Sequence, residues 1–229
     1  STQVSVDLAG GGAGTFGARK TYQLAVALGP ILSFLTDNTP RRHGRPCERP
    51  LLARETVWAG IDPRRTGLVP GTFDDGFSPA DYVDWLCGIE PILFTDEAGA
   101  SASTGHATMG DVMRDHILTG HERAHLLSMV FPDVRLKGFA EIRTMDSLPP
   151  AQAAAIAAFV KGLFYVPEVG DEAVSLVVDG TTENTVHAAH RRLGRRGLRA
   201  PLRRACRRAA RARPARARCG SRPGAARPS

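Results

Sequence analysis

From Val134 to Arg143, apolar and polar residues alternate with a period of two, which predicts a half-buried strand. Val134, Leu136, Gly138, Ala140 and Ile142 fall on one face, and Arg135, Lys137, Phe139, Glu141 and Arg143 on the other. Thr2 to Leu8 repeats the design, with Val4, Val6 and Leu8 opposite Gln3, Ser5 and Asp7. Two such strands predict an α+β architecture: an antiparallel sheet with an apolar back, helices packed on that side, and a polar front. The charged row of the second strand has two readings. It is either a solvated face laced by cross-strand ion pairs, or the floor of a site for a polyanion, with Glu141 holding a metal ion among the bases. Pattern alone leaves both open.

Helical spacing marks Ala18–Leu35, Ser78–Leu86 (Ser78 as N-cap, Pro79 at the first position), Thr108–Ile117 and Glu183–Leu193. Ala151–Tyr165 is the most apolar of these segments, with Ile156, Phe159, Val160, Leu163 and Phe164 expected to be buried. Glu90–Thr95 predicts a short buried strand, and residues 40–50 an irregular loop. Leu51–Gly76 reads as a loop between Gly and Pro turns and concentrates Arg54, Trp58, Asp62, Arg64 and Arg65. A guanidinium beside an indole suits a small carboxylate ligand. Surface arginines stacked on one structural tryptophan account for the same residues equally well.

Two short motifs point elsewhere. Gly12-x-Gly14-x-x-Gly17 has the form of a dinucleotide fingerprint, but no second strand follows to carry the ribose-binding acid, so a loose turn is expected. His121-Glu122-x-x-His125 has the zinc-hydrolase spacing, with Glu122 as the would-be general base. Its first histidine falls in the first turn of a helix that Pro132 keeps short, and no third ligand is apparent.

Charge changes the picture more than composition does. Fifteen of the thirty Lys and Arg residues lie after His190, where there is no acid, leaving fifteen bases against all 23 acids in residues 1–190. The body is therefore acidic and gives no electrostatic reason to expect specific nucleic-acid binding. Residues 191–229 are an Arg/Ala/Pro-rich tail, expected to be disordered or read out of frame; a basic-tailed nucleic-acid binder is the reading that would make use of it. Cys47, Cys87, Cys206 and Cys219 show no paired spacing, which predicts reduced thiols and a cytoplasmic protein. No apolar run is long enough for a membrane span. The chain opens directly in a strand pattern without an initiator Met, which predicts a truncated N-terminus.

The blocks TQVSVDL, DNTP…GRP, ARETVWAGIDPRRTGLVPGTFDDGFSPADYVDWL, LSMVFPDVRLKGFAEIRTMDSLP and VKGLFY follow one another in that order. Together, over residues 1–190, they resemble the later half of the bacterial and plant-type glutamate–cysteine ligases. The resemblance implies a glutamine-synthetase-like fold, present here incompletely, and ATP-dependent joining of the glutamate γ-carboxylate to the amine of cysteine through an acyl phosphate. It implies ATP and Mg2+ as cofactors, with glutamate and cysteine as substrates, and an isolated piece that is inactive. It implies Glu141 and Gln3 at the metal, and Arg135, Lys137 and Arg143 at the phosphates, with Lys137 and Arg143 catalytic. Arg54, Trp58 and Arg65 then belong to the glutamate pocket. The sequence departs from the family pattern at Ser5, Arg64 and Gly138.

Overall fold

The computed structural model describes residues 1–8, 17–46 and 52–197. The architecture is α+β. Its centre is a three-stranded antiparallel sheet in the order β1 (Val4–Asp7), β9 (Phe139–Ile142), β8 (Val134–Leu136). The stretch expected to form one strand is thus a hairpin. Gly138 turns it with φ +80°, a conformation other residues rarely adopt. Leu136 pairs with Ala140 and Val134 with Ile142. Partner numbers always add to an even total, so the alternation runs unbroken around the turn, which is why periodicity did not reveal the reversal.

The expected faces hold. Val6, Val134, Ala140 and Ile142 are buried at the back of the sheet. Against them lies α1 (Gly17–Leu35), buried without a break from Thr21 to Pro30. Tyr22 stacks on Phe77 and donates its hydroxyl to the Val134 carbonyl at 3.0 Å. Full burial of side chains such as Leu24 and Leu32 stabilises this layer by about 1.5–3 kcal/mol each. α1 also packs on α7 (Pro167–Val177), which no periodic reading singled out, and on α8 (Glu183–Arg196). α8 runs past His190 and buries Leu193, so the folded body extends beyond the position where the basic tail was expected to start.

α6 (Pro150–Tyr165) forms as expected, but only Val160 and Phe164 are fully buried and Phe159 is exposed. The helix lies across the edge of the sheet, and its Tyr165 hydroxyl donates to Asp7 at 2.8 Å. No single helix among the described residues is long and apolar enough to cross a membrane.

A second, smaller core joins α3 (Pro79–Cys87), α4 (Met109–Asp115) and α5 (Gly120–Leu127) around Leu86, Met109, Leu126 and Val130. All three helices start at capping boxes, Ser78/Asp81, Thr108/Asp111 and Thr119/Glu122, each satisfying two otherwise orphaned N–H groups. The buried strand expected over Glu90–Thr95 shrinks to β5 (Phe94–Thr95), paired with β6 (Ser101–Ala102), and Ile92 is exposed. Within the loop expected over 40–50, β2 (Arg41–Arg42) and β3 (Arg45–Pro46) form a small hairpin. The glycine run before Gly17 lies outside the described residues, as do Cys47, Cys206, Cys219 and the tail from residue 198 onward.

Candidate functional site

Arg54 and Trp58 do not sit in a loop. They occupy positions i and i+4 of α2 (Ala53–Ala59), so both project from one face, and the Arg54 guanidinium lies 5.4 Å from the indole centroid. The helix gave little sequence signal because it lasts only two turns and lacks a side-chain cap. Leu52 holds the N-cap position in a left-handed conformation instead. Trp58 in turn packs on Phe131, 5.2 Å between ring centroids. Phe131 belongs to β7 (Phe131–Pro132), which pairs in parallel with β4 (Thr66–Gly67).

These pieces enclose a cavity of about 290 Å³. Arg54, Glu55 and Trp58 form one wall, Phe131 and Asp133 another, and Arg143 and Thr144 a third. The volume is at the small end of ligand pockets, which run from about 300 Å³ upward. Arg54 is locked in place, donating from Nε and Nη2 to the Arg143 carbonyl at 3.1 and 2.6 Å. Burial, with Arg143 nearby, pulls the Arg54 guanidinium below its ordinary value.

Asp133 was not singled out from the sequence. The Arg143 N–H donates to its carbonyl at 2.9 Å, extending the β8–β9 ladder by one step. The signal was available: Asp133 shares the parity of Arg135 and therefore belongs to the same polar row. Burial pushes its carboxyl up to about 6, helped by the negative charge of Glu55 and opposed by His190, Arg54 and Arg143. Glu55 faces His190, with Oε2 2.8 Å from Nδ1.

Beside the cavity, on the front of the sheet, three cations converge on one carboxylate. Glu141 Oε2 accepts from Arg135 at 2.8 Å and from Arg143 at 3.0 Å, and Oε1 lies 4.0 Å from Lys137 Nζ. Arg135 reaches it straight across the hairpin, since the two residues are register partners. Ser5 flanks Glu141 on the other side. Glu141 and Arg143 therefore touch directly, where strand spacing alone would hold them about 7 Å apart. Burial alone would raise the Glu141 carboxyl, but Arg143, Arg135 and Lys137 outweigh it and hold it below the usual range. Arg135 and Arg143 are about a tenth exposed, whereas Lys137 is 37 % exposed.

Two expected site residues stand apart from these groups. Arg65 does not line the cavity. It is buried and gives its donors to Asp62 at 2.8 Å and to the carbonyls of Met129 and Glu90 at 3.3 and 3.1 Å. It ties the β4 segment to the smaller core. Gln3 is exposed and lies just before β1, one step beyond the Val4–Ile142 pair.

The donor set decides what these residues can hold. Among the described residues, no three His, Cys, Asp or Glu side chains are grouped to hold a metal ion. Magnesium needs only one or two carboxylates when phosphates complete its shell, so Glu141 fits it in the company of a phosphorylated ligand. The zinc reading fails on geometry. Glu122 is buried, and its Oε2 accepts the Thr119 N–H at 2.8 Å as half of a capping box, so it is committed to the helix start.

The family described as "Glutamate-cysteine ligase family 2(GCS2)" matches residues 17–222. The chloroplastic glutamate–cysteine ligase of Brassica juncea is 30 % identical over 169 residues, 71 % of this chain and 32 % of that protein. The B form of Oryza sativa subsp. japonica is 28 % identical over 191 residues, 80 % of this chain and 38 % of its own length. That of Arabidopsis thaliana is 29 % identical over 173 residues, 72 % and 32 %. The chain spans about a third of the length of these curated relatives. The relatives are named chloroplastic, which overturns the cytoplasmic expectation: unpaired cysteines speak to redox state, not to which compartment maintains it. By the extent of the family match, this chain belongs to glutamate–cysteine ligase family 2.

Proposed function

We propose that this chain carries the glutamate- and phosphate-binding side of an ATP-dependent glutamate–cysteine ligase with a glutamine-synthetase-like sheet. The observation that carries the reading is the double use of Arg143. Its carbonyl fixes Arg54 at the cavity, and its guanidinium joins Arg135 and Lys137 around Glu141. A carboxylate in the cavity is thereby brought next to a cluster whose cations outnumber its acid three to one.

In this reading Arg54 and Trp58 hold glutamate, and Arg65 positions that wall from behind. Arg135, Lys137 and Arg143 bind the phosphates of ATP. The glutamate γ-carboxylate attacks the terminal phosphorus, the bond to ADP breaks, and an acyl phosphate forms. The cysteine amine then attacks the acyl carbon, inorganic phosphate leaves, and the amine gives up a proton. The cations stabilise charge that accumulates on the transferred phosphoryl oxygens. Glu141, with Gln3 at the margin, would hold a magnesium ion, which would supply further neutralisation of that charge.

Calorimetric titration with ATP and with L-glutamate tests the division of labour. Arg135→Ala is expected to weaken ATP at least about tenfold and leave glutamate unchanged, and Arg54→Ala to do the reverse. An unaltered chain that binds neither ligand, or variants without this separation, would overturn the reading.

A further inference from the structure

We infer that His190 is a positioning residue: from α8 it holds Glu55 of α2, and through α2 it sets where Arg54 and Trp58 stand at the cavity. The consequence for L-glutamate rests on the proposed function. The hold on α2 stands on the contacts between the two helices.

α2 has little means of keeping its own shape. It is seven residues long, and its N-cap residue, Leu52, makes no side-chain cap bond. Isolated helices shorter than about 12–15 residues are marginal in water, so the geometry of α2 comes from what it packs on. Arg54 and Trp58 supply one side, through the Arg143 carbonyl and the Phe131 ring. Those two side chains also line the cavity. A hold that leaves them free for a ligand has to come from another face of the helix, and Glu55 lies about 100° round from Arg54.

α8 supplies that hold. His187, His190 and Gly194 are spaced i, i+3, i+7 and share one face of the helix. His187 lines the cavity. His190 brings Nδ1 to 2.8 Å from Oε2 of Glu55. A Cβ added at Gly194 would lie 3.6 Å from Cδ1 of Leu52, so the N-cap residue of α2 rests on that glycine. One stripe of α8 therefore meets the cavity, the first turn of α2 and the residue before it. The stripe is mounted on α1, against which α8 packs with Val186 and Leu193 buried. The His190 ring lies over Gly29 of α1, where an added Cβ would come to 3.9 Å from Nε2.

The chemistry of the contact fits a hold rather than incidental packing. His190 is buried. At 2.8 Å two lone pairs would repel, so Nδ1 carries the hydrogen on the side of Glu55. Neither ring nitrogen makes an aligned hydrogen bond, so attraction between the ring N–H edge and the carboxylate is what joins the two helices. Asp133 adds to the need for it. Glu55 repels the Asp133 carboxyl, and His190 opposes that repulsion. Without His190, two acids face each other beside α2 with less to offset them.

Amide hydrogen exchange of the full chain, read by mass spectrometry over residues 53–60, tests the hold directly, with residues 79–88 of α3 as the reference. His190→Ala is expected to speed exchange in 53–60 at least about tenfold and to leave 79–88 within about twofold. Val186→Ala removes buried volume one turn earlier on α8 and keeps the contact with Glu55, so it should move 53–60 no more than 79–88. A merely structural part for His190 would give that same even pattern. Glu55→Ala should match His190→Ala, and the double variant should exchange no faster than either, as partners in one contact do. The Glu55 side chain is 27 % exposed, so Glu55→Ala carries the comparison if His190→Ala does not fold. Calorimetry on the same proteins is expected to show L-glutamate weakened at least about tenfold in His190→Ala, with ATP within about twofold. Unchanged exchange in 53–60, or additive effects of the two single changes, overturns the positioning role and leaves the ligase reading in place. Loosened α2 with unaltered L-glutamate affinity also overturns it. Loosened α2 in a protein whose unaltered form binds no L-glutamate upholds the hold on α2, and the glutamate reading falls.

Discussion

Arg54 places two guanidinium donors on the carbonyl oxygen of Arg143, across 89 residues of sequence. The contact pins a two-turn helix to the end of the central sheet and fixes the plane of the guanidinium at the cavity wall. A fork of donors is needed for this, and lysine has none. Arg54→Lys should therefore behave much like Arg54→Ala. L-Glutamate affinity should fall at least about tenfold, and stability by about 1–3 kcal/mol as the buried carbonyl loses its donors. Calorimetry paired with urea unfolding checks this, and a lysine variant that binds normally would show that the fork is dispensable.

Glu141 is the shared counter-ion of Arg135, Lys137 and Arg143, so replacing it is not a silent change of charge. Glu141→Gln leaves two largely buried guanidinium groups without a carboxylate and should cost about 3 kcal/mol in urea unfolding. Inorganic tripolyphosphate should restore more of the melting temperature in this variant than in the unaltered chain, because it supplies the missing negative charge. Because the carboxyl is held below its usual value in the fold, its contribution is present at neutral pH and fades as pH drops through that lowered value. A loss under about 0.5 kcal/mol would return the row to the status of an ordinary surface.

Asp133 works in the opposite direction. With its folded value near 6, the native protein keeps a proton that the unfolded chain has released from about pH 4 upward. Its contribution to stability thus declines as pH rises from about 4 to 6 and stays low above that. Asp133→Asn should remove this decline and leave the protein about 1–3 kcal/mol more stable at pH 7. Melts at half-unit steps between pH 4.5 and 7.5 provide the measurement. Parallel pH curves for the two proteins would show that Asp133 ionises normally.

Thr119 and Glu122 open α5, and this role is separable from any metal chemistry. Thr119→Ala should cost about 1 kcal/mol, the usual value of an N-cap. His121→Ala, at an exposed position, should stay within about 0.5 kcal/mol of the unaltered chain, and prolonged dialysis against a chelator should leave the melting temperature unchanged. Stoichiometric zinc in the purified protein, lost on His121→Ala, would reverse this assignment.

The sequence revealed the faces of the sheet better than its path. Alternation assigned Val134, Ala140 and Ile142 to the core and Arg135, Glu141 and Arg143 to the front, all correctly, while missing the turn at Gly138. The capped helices were legible because Ser78, Thr108 and Thr119 announce their starts chemically. α2 was not, since it begins at a left-handed leucine and is held by tertiary contacts from Arg54 and Trp58. Nor does sequence distance hint that Arg65 points away from the cavity. Its partners are carbonyls at Met129 and Glu90, and any residue can supply a carbonyl. Phe159 shows the converse error: its spacing on α6 suits a core position, yet it is 43 % exposed.

The even-numbered pairing of β8 with β9 makes the length of the turn at Gly138 part of the chemistry. A residue inserted there that shifts the register by one would invert the second strand relative to the first, sending Glu141 and Arg143 into the space of Ala140 and Ile142 and bringing the apolar pair out onto the charged front. Two added residues would merely lengthen the loop. Natural variation and engineered libraries at this turn should therefore tolerate length changes in steps of two and reject odd ones, whatever residues are supplied.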